Sequence, residues 1–344
     1  MNFRTLRRGV LAAGLLTMVA AVYVSSISCC GDDNTSTPTA AANSATTAPT
    51  LAGNGGSPAT GSIPADIGKD DSANITGAGA TFLAPVYQAW FDDYHSKVAK
   101  GVKINYQALG SGAGIQQLTA HTVDFGASDA AMSNDELAKA PDAQHIPTVV
   151  GAITLAYNLN GLSKPLDLDG PTIAGIYLGK IKKWNDPAIA ALNPGVSLPG
   201  ATIQVVYRSD SSGTSFNFTD YLAKVSPDWK TGPGVAKAPN WPVGQGAKGN
   251  DGVTGIVKQT PNSIGYVELQ YAAANNLSFA DVKNAAGKFV TPSSASASAA
   301  AAGATIPDDY RTSITNASGD ASYPITAMTY LLLYKSTGKC SVQR

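Results

Sequence analysis

Four short polar loops, each predicted to join a strand to a helix, constrain the fold of this chain more than any other feature. They are rich in glycine, serine and threonine, and they read Gly77-Ala-Gly-Ala-Thr81-Phe82, Gly110-Ser111-Gly-Ala-Gly114, Gly126-Ala-Ser128-Asp129 and Arg208-Ser-Asp210-Ser-Ser212-Gly213-Thr214-Ser215. Strands that alternate with helices predict a parallel sheet with helices on its faces. Ligands in such sheets bind at the carboxyl ends of the strands, and all four loops fall there.

The residue types in these loops indicate an anion-binding site. The first N–H groups of a helix have no internal partner and carry partial positive charge. Arg208 brings the one formal positive charge of the four loops, and Asp129 brings a negative charge. Hydroxyls, amides, one arginine and one aspartate suit an oxyanion that is itself partly protonated, which makes phosphate the candidate ligand. Asp210 is either a turn residue or a side chain that orients Arg208.

Several other classes of site do not fit the sequence. A net charge of zero with only 14% charged residues gives no electrostatic footprint for nucleic acid. His95, His121 and His145 are far apart and lack the spacing of a zinc site. The chain has no Gly-Lys-Ser/Thr nucleotide loop, and the residues around Ser128 do not form the nucleophile elbow of a hydrolase. We expect no catalytic residue, no metal and no cofactor.

The N-terminus has the pattern of an export signal over residues 1–30. Three arginines within the first eight residues precede an apolar run over 10–24, which is too short for a good spanning helix. Cys29 or Cys30 then stands where a bacterial lipoprotein would be lipidated, with ordinary secretion and removal of the segment as the alternative. The pair Arg7-Arg8 leaves both general and twin-arginine export open.

Residues 31–73 are rich in serine, threonine, alanine, proline and glycine and cannot bury enough apolar surface to fold. Such a disordered tether would span roughly 35 Å on average. The folded body is predicted to have two domains and two chain crossings. Residues 74–157 and 325–344 are assigned to domain 1, and residues 158–324 to domain 2.

The chain resembles the phosphate-binding protein of the bacterial ABC phosphate importer over about residues 74–334. The resemblance lies in the first, third and fourth loops and in three further runs, whereas Gly112 and Ala113 in the second loop depart mildly from the family pattern. The three further runs are Ile176-Tyr-Leu-Gly-Lys-Ile-Lys-Lys-Trp184, Gly249-Asn-Asp-Gly252 and Ile264-Gly-Tyr-Val-Glu268. The resemblance implies a two-domain α/β fold of the periplasmic-binding-protein, or Venus-flytrap, type II class, which closes on one phosphate in the interdomain cleft.

The resemblance also implies the residues of the site. Asp210 would hold Arg208 in place, and the backbone N–H groups of Thr81 and Phe82 would take part. The phosphate-binding positions are Thr81, Phe82, Ser111, Asp129, Arg208, Ser212, Gly213 and Thr214. The implied partners are inorganic phosphate and the membrane permease subunits and ATPase of an importer. The implied location is extracytoplasmic, either lipid-anchored at the cell membrane or periplasmic or secreted, and we expect a monomer.

Two matters stay open at this point. The family continues with further helices after a strand that matches residues 325–334, whereas only ten residues follow Tyr334 here, so domain 1 is expected to be truncated and one face of its sheet uncovered. A secreted phosphatase, or a phosphate-binding surface protein or adhesin on the same scaffold, is the alternative function.

Overall fold

The computed structural model describes residues 68–162 and 164–336. The predicted signal peptide, Cys29 and Cys30 and most of the tether lie outside the described residues. The strands in this part of the chain are β1 (Ser72–Gly79), β2 (Gly101–Ala108), β3 (Phe125–Ser128), β4 (Ala143–Asn158), β5 (Asp167–Leu168), β6 (Gln204–Arg208), β7 (Gln245–Ala247), β8 (Ser263–Glu268), β9 (Ser278–Phe279), β10 (Asp281–Lys283), β11 (Phe289–Val290) and β12 (Thr326–Tyr334).

Helices follow most of these strands. They are α1 (Ala84–Lys97), α2 (Ser111–Thr119), α3 (Asn134–Lys139), α4 (Gly170–Tyr177), α5 (Pro187–Leu192), α6 (Gly213–Val225), α7 (Pro227–Thr231), α8 (Gly249–Gln259), α9 (Leu269–Ala274) and α10 (Ser294–Ala302). No helix within residues 68–162 and 164–336 combines the length and the apolar character needed to cross a membrane.

One large sheet runs through the molecule in the order β2-β1-β3-β12-β4-β8-β6-β7, with β9 also paired to β4. Strands β1, β2 and β3 are parallel, but β12 is antiparallel to both β3 and β4, and β8 is antiparallel to β4. The prediction of a parallel sheet is therefore wrong, and the sheet is mixed. The reason is topological, because a chain that leaves on β4 and returns on its neighbour β12 must reverse its direction.

The 16-residue strand β4 connects two lobes. Its first part, Ala143–Ala152, pairs with β12, and its last part, Ile153–Asn158, pairs with β8. We call the part built on β1–β3 the first lobe and the part built on β6–β8 the second lobe. The chain therefore passes between the lobes along one long strand, which places the ends of β1, β3 and β6 close to a shared boundary. The domain limits given above stay a prediction.

The folded chain begins earlier than the tether prediction allows. Strand β1 starts at Ser72, which pairs in parallel register with Gly101, and Ala73 pairs with Val102. Local composition could not show this, because Ser72 is ordered by a strand almost thirty residues away in sequence. The predicted disorder is therefore wrong for Ser72 and Ala73.

Each lobe has an aromatic core that fixes the strand ends. In the first lobe Tyr106 and Phe125 stack at 6.0 Å between ring centroids. In the second lobe Phe218 on α6 stacks on Tyr266 of β8 at 4.4 Å, and both side chains are fully buried. Burial of each such ring stabilises the fold by about 2–3 kcal/mol, so α6 is held firmly against the sheet.

The serine- and alanine-rich run near residue 300 forms a helix, α10. Ser293 caps α10 through a reciprocal pair of hydrogen bonds with Ser296, and Ala297 and Ala300 form its buried face. Small side chains suit this position because α10 packs closely on β4. The sequence analysis assigned this segment to the second domain, and in the structure it packs on β4 and β12.

The last part of strand β12 is buried unequally on its two sides. Tyr330 and Leu332 are buried, whereas Leu331 and Leu333 on the other side are half-buried. On the described part of the first lobe, Trp90 of α1 is 39% exposed. The expected uncovered face of this lobe stays a prediction.

Candidate functional site

The first lobe contributes three of the predicted loops, and each follows a strand as expected. Thr81 and Phe82 form the turn between β1 and α1, Ser111 is the first residue of α2, and Asp129 directly follows β3. All four side chains are buried, with Asp129 only 3% exposed. The Asp129 backbone N–H donates to Ser111 Oγ at 3.2 Å, so the ends of β2 and β3 are joined at this edge.

The second lobe contributes the fourth loop. Arg208 is the last residue of β6, and Ser212 caps α6 by accepting from the Ser215 N–H at 3.2 Å. Gly213 and Thr214 are the first two residues of α6, so their N–H groups have no carbonyl partner inside the helix. This helix start therefore offers two amides and a partial positive charge to an anion.

The two lobes meet at this helix start. A side chain at Gly213 would put its Cβ 2.5 Å from Ser111 Oγ and 2.8 Å from Asp129 Cβ, so only glycine allows this approach. Nearby, Asn217 Nδ2 donates to the Asp129 carbonyl oxygen at 2.6 Å, and Gly112 N–H donates to the Ser211 carbonyl oxygen at 2.9 Å. The structure thus brings the predicted residues of both lobes together in a closed arrangement.

Arg208 is fixed by its own loop. Its Nε donates to Asp210 Oδ1 at 2.7 Å, its Nη2 donates to Oδ2 at 2.5 Å, and its Nη1 donates to Thr214 Oγ1 at 3.2 Å. These contacts use three of the five guanidinium N–H groups and leave one on each terminal nitrogen. Two N–H donors are therefore left for an oxyanion. The interpretation of Asp210 as the residue that orients Arg208 agrees with this geometry.

Asp210 is ionised in this arrangement. Burial acts to raise its pKa, but the hydrogen bonds and charge of Arg208 and the Gly249 N–H, which donates at 3.0 Å, together lower the pKa below its ordinary value. The Arg208–Asp210 pair is therefore formally neutral. An anion bound here would be stabilised mainly by oriented N–H and O–H groups rather than by net charge.

The hydroxyl groups of the site share one property. Each accepts a hydrogen bond from a protein N–H, which leaves its own proton to be donated to another oxygen. The donors are Asp129 N–H to Ser111, Asn250 to Thr81, Ser215 N–H to Ser212 and Arg208 to Thr214. The Ser111 hydroxyl also hydrogen-bonds the Asp129 carboxyl group, so the hydroxyl groups of Thr81, Ser212 and Thr214 are the ones left as donors toward a ligand.

Asp129 supplies an acceptor among these donors. Burial raises the pKa of its carboxyl group to about 7, while the Thr329 hydroxyl and the charge of Arg208 offset part of that rise. Thr329 Oγ1 donates to Oδ1 at 2.9 Å, and the Ser111 hydroxyl also hydrogen-bonds the carboxyl group, whose oxygens keep further lone pairs for a ligand. A carboxyl group with this pKa can share a proton with a weakly acidic oxyanion near neutral pH.

Three residues of this region have roles that the sequence analysis did not assign. Asn250 and Tyr271 both hold Thr81, through Asn250 Nδ2 to Oγ1 at 2.9 Å and Tyr271 OH to the carbonyl oxygen at 2.5 Å. Thr329 lies on β12 and reaches Asp129 across 200 residues of sequence. A signal existed only for Asn250, which lies in the Gly249-Asn-Asp-Gly252 run that carries part of the family resemblance.

The histidine side chains are occupied elsewhere. His145 is buried and its Nε2 accepts from the Met132 N–H at 3.0 Å, and burial lowers its pKa to about 4. Within residues 68–162 and 164–336, no group of three or more His, Cys, Asp or Glu side chains could hold a metal ion.

Comparison with known proteins identifies the family. The PBP superfamily domain matches residues 39–340. A phosphate-binding protein PstS of Xylella fastidiosa is 46% identical over 289 residues, which are 83% of this chain and 78% of that protein. The phosphate-binding protein PstS of Haemophilus influenzae is 48% identical over 266 residues, which are 76% of this chain and 78% of that protein. This chain belongs to the PstS family of phosphate-binding proteins.

Solved structures support the fold of this PstS-family chain. A phosphate-binding protein from Stenotrophomonas maltophilia aligns with a TM-score of 0.58 at 21% identity, over 79% of this chain and 81% of that chain. A high-affinity periplasmic phosphate-binding protein solved with bound phosphate aligns with a TM-score of 0.59 at 23% identity, over 78% and 82% of the two chains. The predicted family and the two-domain, interdomain-cleft α/β fold are confirmed.

Proposed function

We propose that this protein binds inorganic phosphate outside the cytoplasmic membrane and delivers it to the permease of an ABC-type importer. The observation that carries this proposal is the distribution of donors and acceptors in the closed site. Three hydroxyl groups, two helix N-terminal amides and two guanidinium N–H groups donate, and the Asp129 carboxyl group accepts. An oxyanion with several bare oxygens and one protonated oxygen matches that pattern.

The residues that we assign to phosphate are Thr81, Phe82, Ser111, Asp129, Arg208, Ser212, Gly213 and Thr214, with Asp210 behind Arg208. The names of the Xylella and Haemophilus relatives support phosphate as the ligand. A lipid anchor at Cys29 or Cys30, a monomeric state and a partner permease with its ATPase belong to the same proposal and rest on the sequence pattern and the family.

Binding without catalysis is the simpler use of this site. The side chains of both lobes that face the proposed ligand are at most 5% exposed. Such enclosure suits a small inorganic anion, whereas a phosphate ester needs an opening for its leaving group. We therefore favour a solute-binding role over the secreted phosphatase considered above.

Titration calorimetry with phosphate and sulfate at pH 8 tests the proposal. We expect wild-type protein to bind phosphate and to reject sulfate, because a buried carboxylate meets only lone pairs on sulfate and would be left without a partner. Asp129→Asn should lose this selectivity more than it loses phosphate affinity, since an amide can donate to sulfate. Asp135→Asn on the exposed part of α3 is the matched control.

Two results would overturn the proposal. The first is equal affinity of the wild-type protein for sulfate and phosphate, or an Asp129→Asn variant that rejects sulfate as strongly as wild type. The second is hydrolysis of a phosphate ester by the wild-type protein that is lost in the Arg208→Ala variant, which would favour a secreted phosphatase.

A further inference from the structure

Asn250 connects the second lobe to the predicted phosphate-binding loop of the first lobe. It is the second residue of α8, and it donates to Thr81 Oγ1 twice, from its backbone N–H at 3.3 Å and from Nδ2 at 2.9 Å. Asn250 is fully buried and Thr81 is 5% exposed. Water therefore does not compete strongly for these hydrogen bonds, and they exist only when the lobes are together.

The orientation of the Asn250 amide is set by a third residue. Its Oδ1 accepts from the Glu268 N–H at 3.1 Å, and a backbone N–H can only donate. The oxygen must therefore face Glu268, which turns Nδ2 toward Thr81. The direction of the Asn250–Thr81 hydrogen bond follows from the network rather than from an arbitrary choice of amide orientation.

This arrangement leaves the Thr81 hydroxyl one role. A hydroxyl oxygen has two lone pairs, and the two donors of Asn250 occupy both. The hydroxyl proton must then point to a different acceptor. The loop cannot turn freely to find one, because Tyr271 OH holds the Thr81 carbonyl oxygen at 2.5 Å.

We propose that Asn250 is a positioning residue for phosphate binding, which makes the Thr81 hydroxyl an obligate donor to a bare phosphate oxygen in the closed protein. The inference rests on the proposed function, because it needs Thr81 to contact the ligand. It adds a contribution from the second lobe to a first-lobe contact, so the strength of the Thr81 contact depends on closure.

A double-mutant cycle measured by phosphate titration tests this inference. We expect Asn250→Ala and Thr81→Val each to weaken phosphate binding about tenfold, which corresponds to one hydrogen bond to a charged group. The double variant should bind no more weakly than Thr81→Val alone, since Asn250 acts through the hydroxyl that valine removes. Asn105→Ala, at an exposed position of β2, is the control for loss of an asparagine and should bind as wild type does.

A second variant separates orientation from packing. Asn250→Asp keeps an oxygen for the Glu268 N–H but presents another oxygen to Thr81, which would then donate to the protein instead of to phosphate. We expect this variant to bind phosphate more weakly than Asn250→Ala, and thermal unfolding without phosphate checks that both variants fold.

The inference would be overturned if the affinity losses of the two single variants multiply in the double variant. Wild-type affinity in folded Asn250→Ala or Asn250→Asp would also overturn it. Either result would leave the phosphate site intact. Wild-type affinity in Thr81→Val would also overturn it, by removing Thr81 from the ligand contacts. The wild-type and Asp129→Asn titrations show separately whether the protein binds phosphate at all.

Discussion

Thr329 donates from its Oγ1 to Oδ1 of Asp129 at 2.9 Å, although the two residues are 200 positions apart in sequence. Both side chains are buried, with Thr329 at 0% and Asp129 at 3% exposure. Thr329 lies on β12, the strand by which the chain returns to the first lobe, and Asp129 directly follows the neighbouring strand β3. The returning strand therefore orients the proposed acceptor of the site.

Thr329→Val should raise the pKa of Asp129 above about 7, because the hydroxyl of Thr329 is one of the groups that holds that pKa down. Valine has nearly the same shape, so the strand should stay intact. We expect phosphate affinity at pH 7 to fall about three- to tenfold, the value of one buried hydrogen bond. An NMR titration of the Asp129 carboxyl carbon measures the pKa, and calorimetry measures the affinity.

Thr326→Val is the matched control for that experiment. Thr326 is a fully buried threonine on the same strand whose hydroxyl donates to the Tyr323 carbonyl oxygen, away from Asp129. It should lower stability without moving the Asp129 titration. An unchanged Asp129 pKa in Thr329→Val would show that the hydroxyl does not act on the carboxyl group.

Local sequence chemistry was sufficient to predict the loops of the site. The run Ser133-Asn-Asp-Glu136 has the residue spacing of a capping box, and Ser133 and Glu136 form both hydrogen bonds of that box at the start of α3. The loop that begins at Arg208 was correctly placed between a strand and a helix, which are β6 and α6. These features depend on residues a few positions apart, so a pattern in the sequence records them.

Contacts between distant segments could not be predicted in this way. Thr329 looks like an ordinary β-strand residue, and nothing near it in sequence indicates a carboxylate partner. Asn250 lies 169 positions from Thr81, and its role depends on the closure of two lobes. The mixed direction of the sheet was missed for the same reason, because the pairing of β12 with β3 and β4 is set by topology rather than by composition.

Arg208→Ala should weaken phosphate binding by more than about 2 kcal/mol. The substitution removes two hydrogen-bond donors and leaves the buried phosphate without its cationic partner. Arg208→Lys should restore only part of that loss, since an ammonium group cannot bond Asp210, Thr214 and the ligand in one plane. Titration calorimetry measures both variants. Arg311→Ala, which disrupts another arginine–aspartate pair, should bind as wild type does.

The role of Arg208 would be contradicted by wild-type affinity in Arg208→Ala, or by full recovery in Arg208→Lys. Either result would mean that the helix N-terminus and the hydroxyl groups hold the anion alone.

Lys237→Ala should speed the release of phosphate. Lys237 Nζ contacts both carboxylate oxygens of Glu136 at 2.7 Å, and this ion pair joins a second-lobe loop to α3 of the first lobe. The Lys237 carbonyl oxygen also accepts from the Ser212 N–H at 2.8 Å, next to the start of α6. Loss of this partly buried pair should cost the closed state about 1 kcal/mol, a roughly fivefold faster release.

Stopped-flow release of phosphate from wild type, Lys237→Ala and Lys180→Ala measures this contribution. Lys180 pairs with Asp228 at a highly exposed position, so its loss should not change the release rate. The difference between wild type and Lys237→Ala should shrink as salt is added, because screening weakens the ion pair. Equal release rates at low salt would rule out a role for the pair in closure.

Glu268→Gln should stabilise the ligand-free protein at alkaline pH. Glu268 ends β8 beside the connection between the lobes, and burial raises the pKa of its carboxyl group from 4.5 to about 8, with the negative charge of Asp129 adding to that rise. The folded protein thus binds this proton more tightly than the unfolded chain does. Stability from this group is complete below about pH 4.5 and is lost as the pH rises through about 8.

Glutamine at position 268 removes the titration but keeps a side-chain oxygen for the Gln270 N–H. In the wild-type protein this N–H donates to Glu268 Oε2 at 2.8 Å. We expect Glu268→Gln to be more stable than wild type by about 2 kcal/mol at pH 9, with a difference that shrinks toward zero near pH 4.5. Denaturant unfolding of both proteins across this range measures the difference. A Glu268→Gln variant that is equally stable or less stable at pH 9 would show that the folded protein carries the ionised carboxylate at no cost.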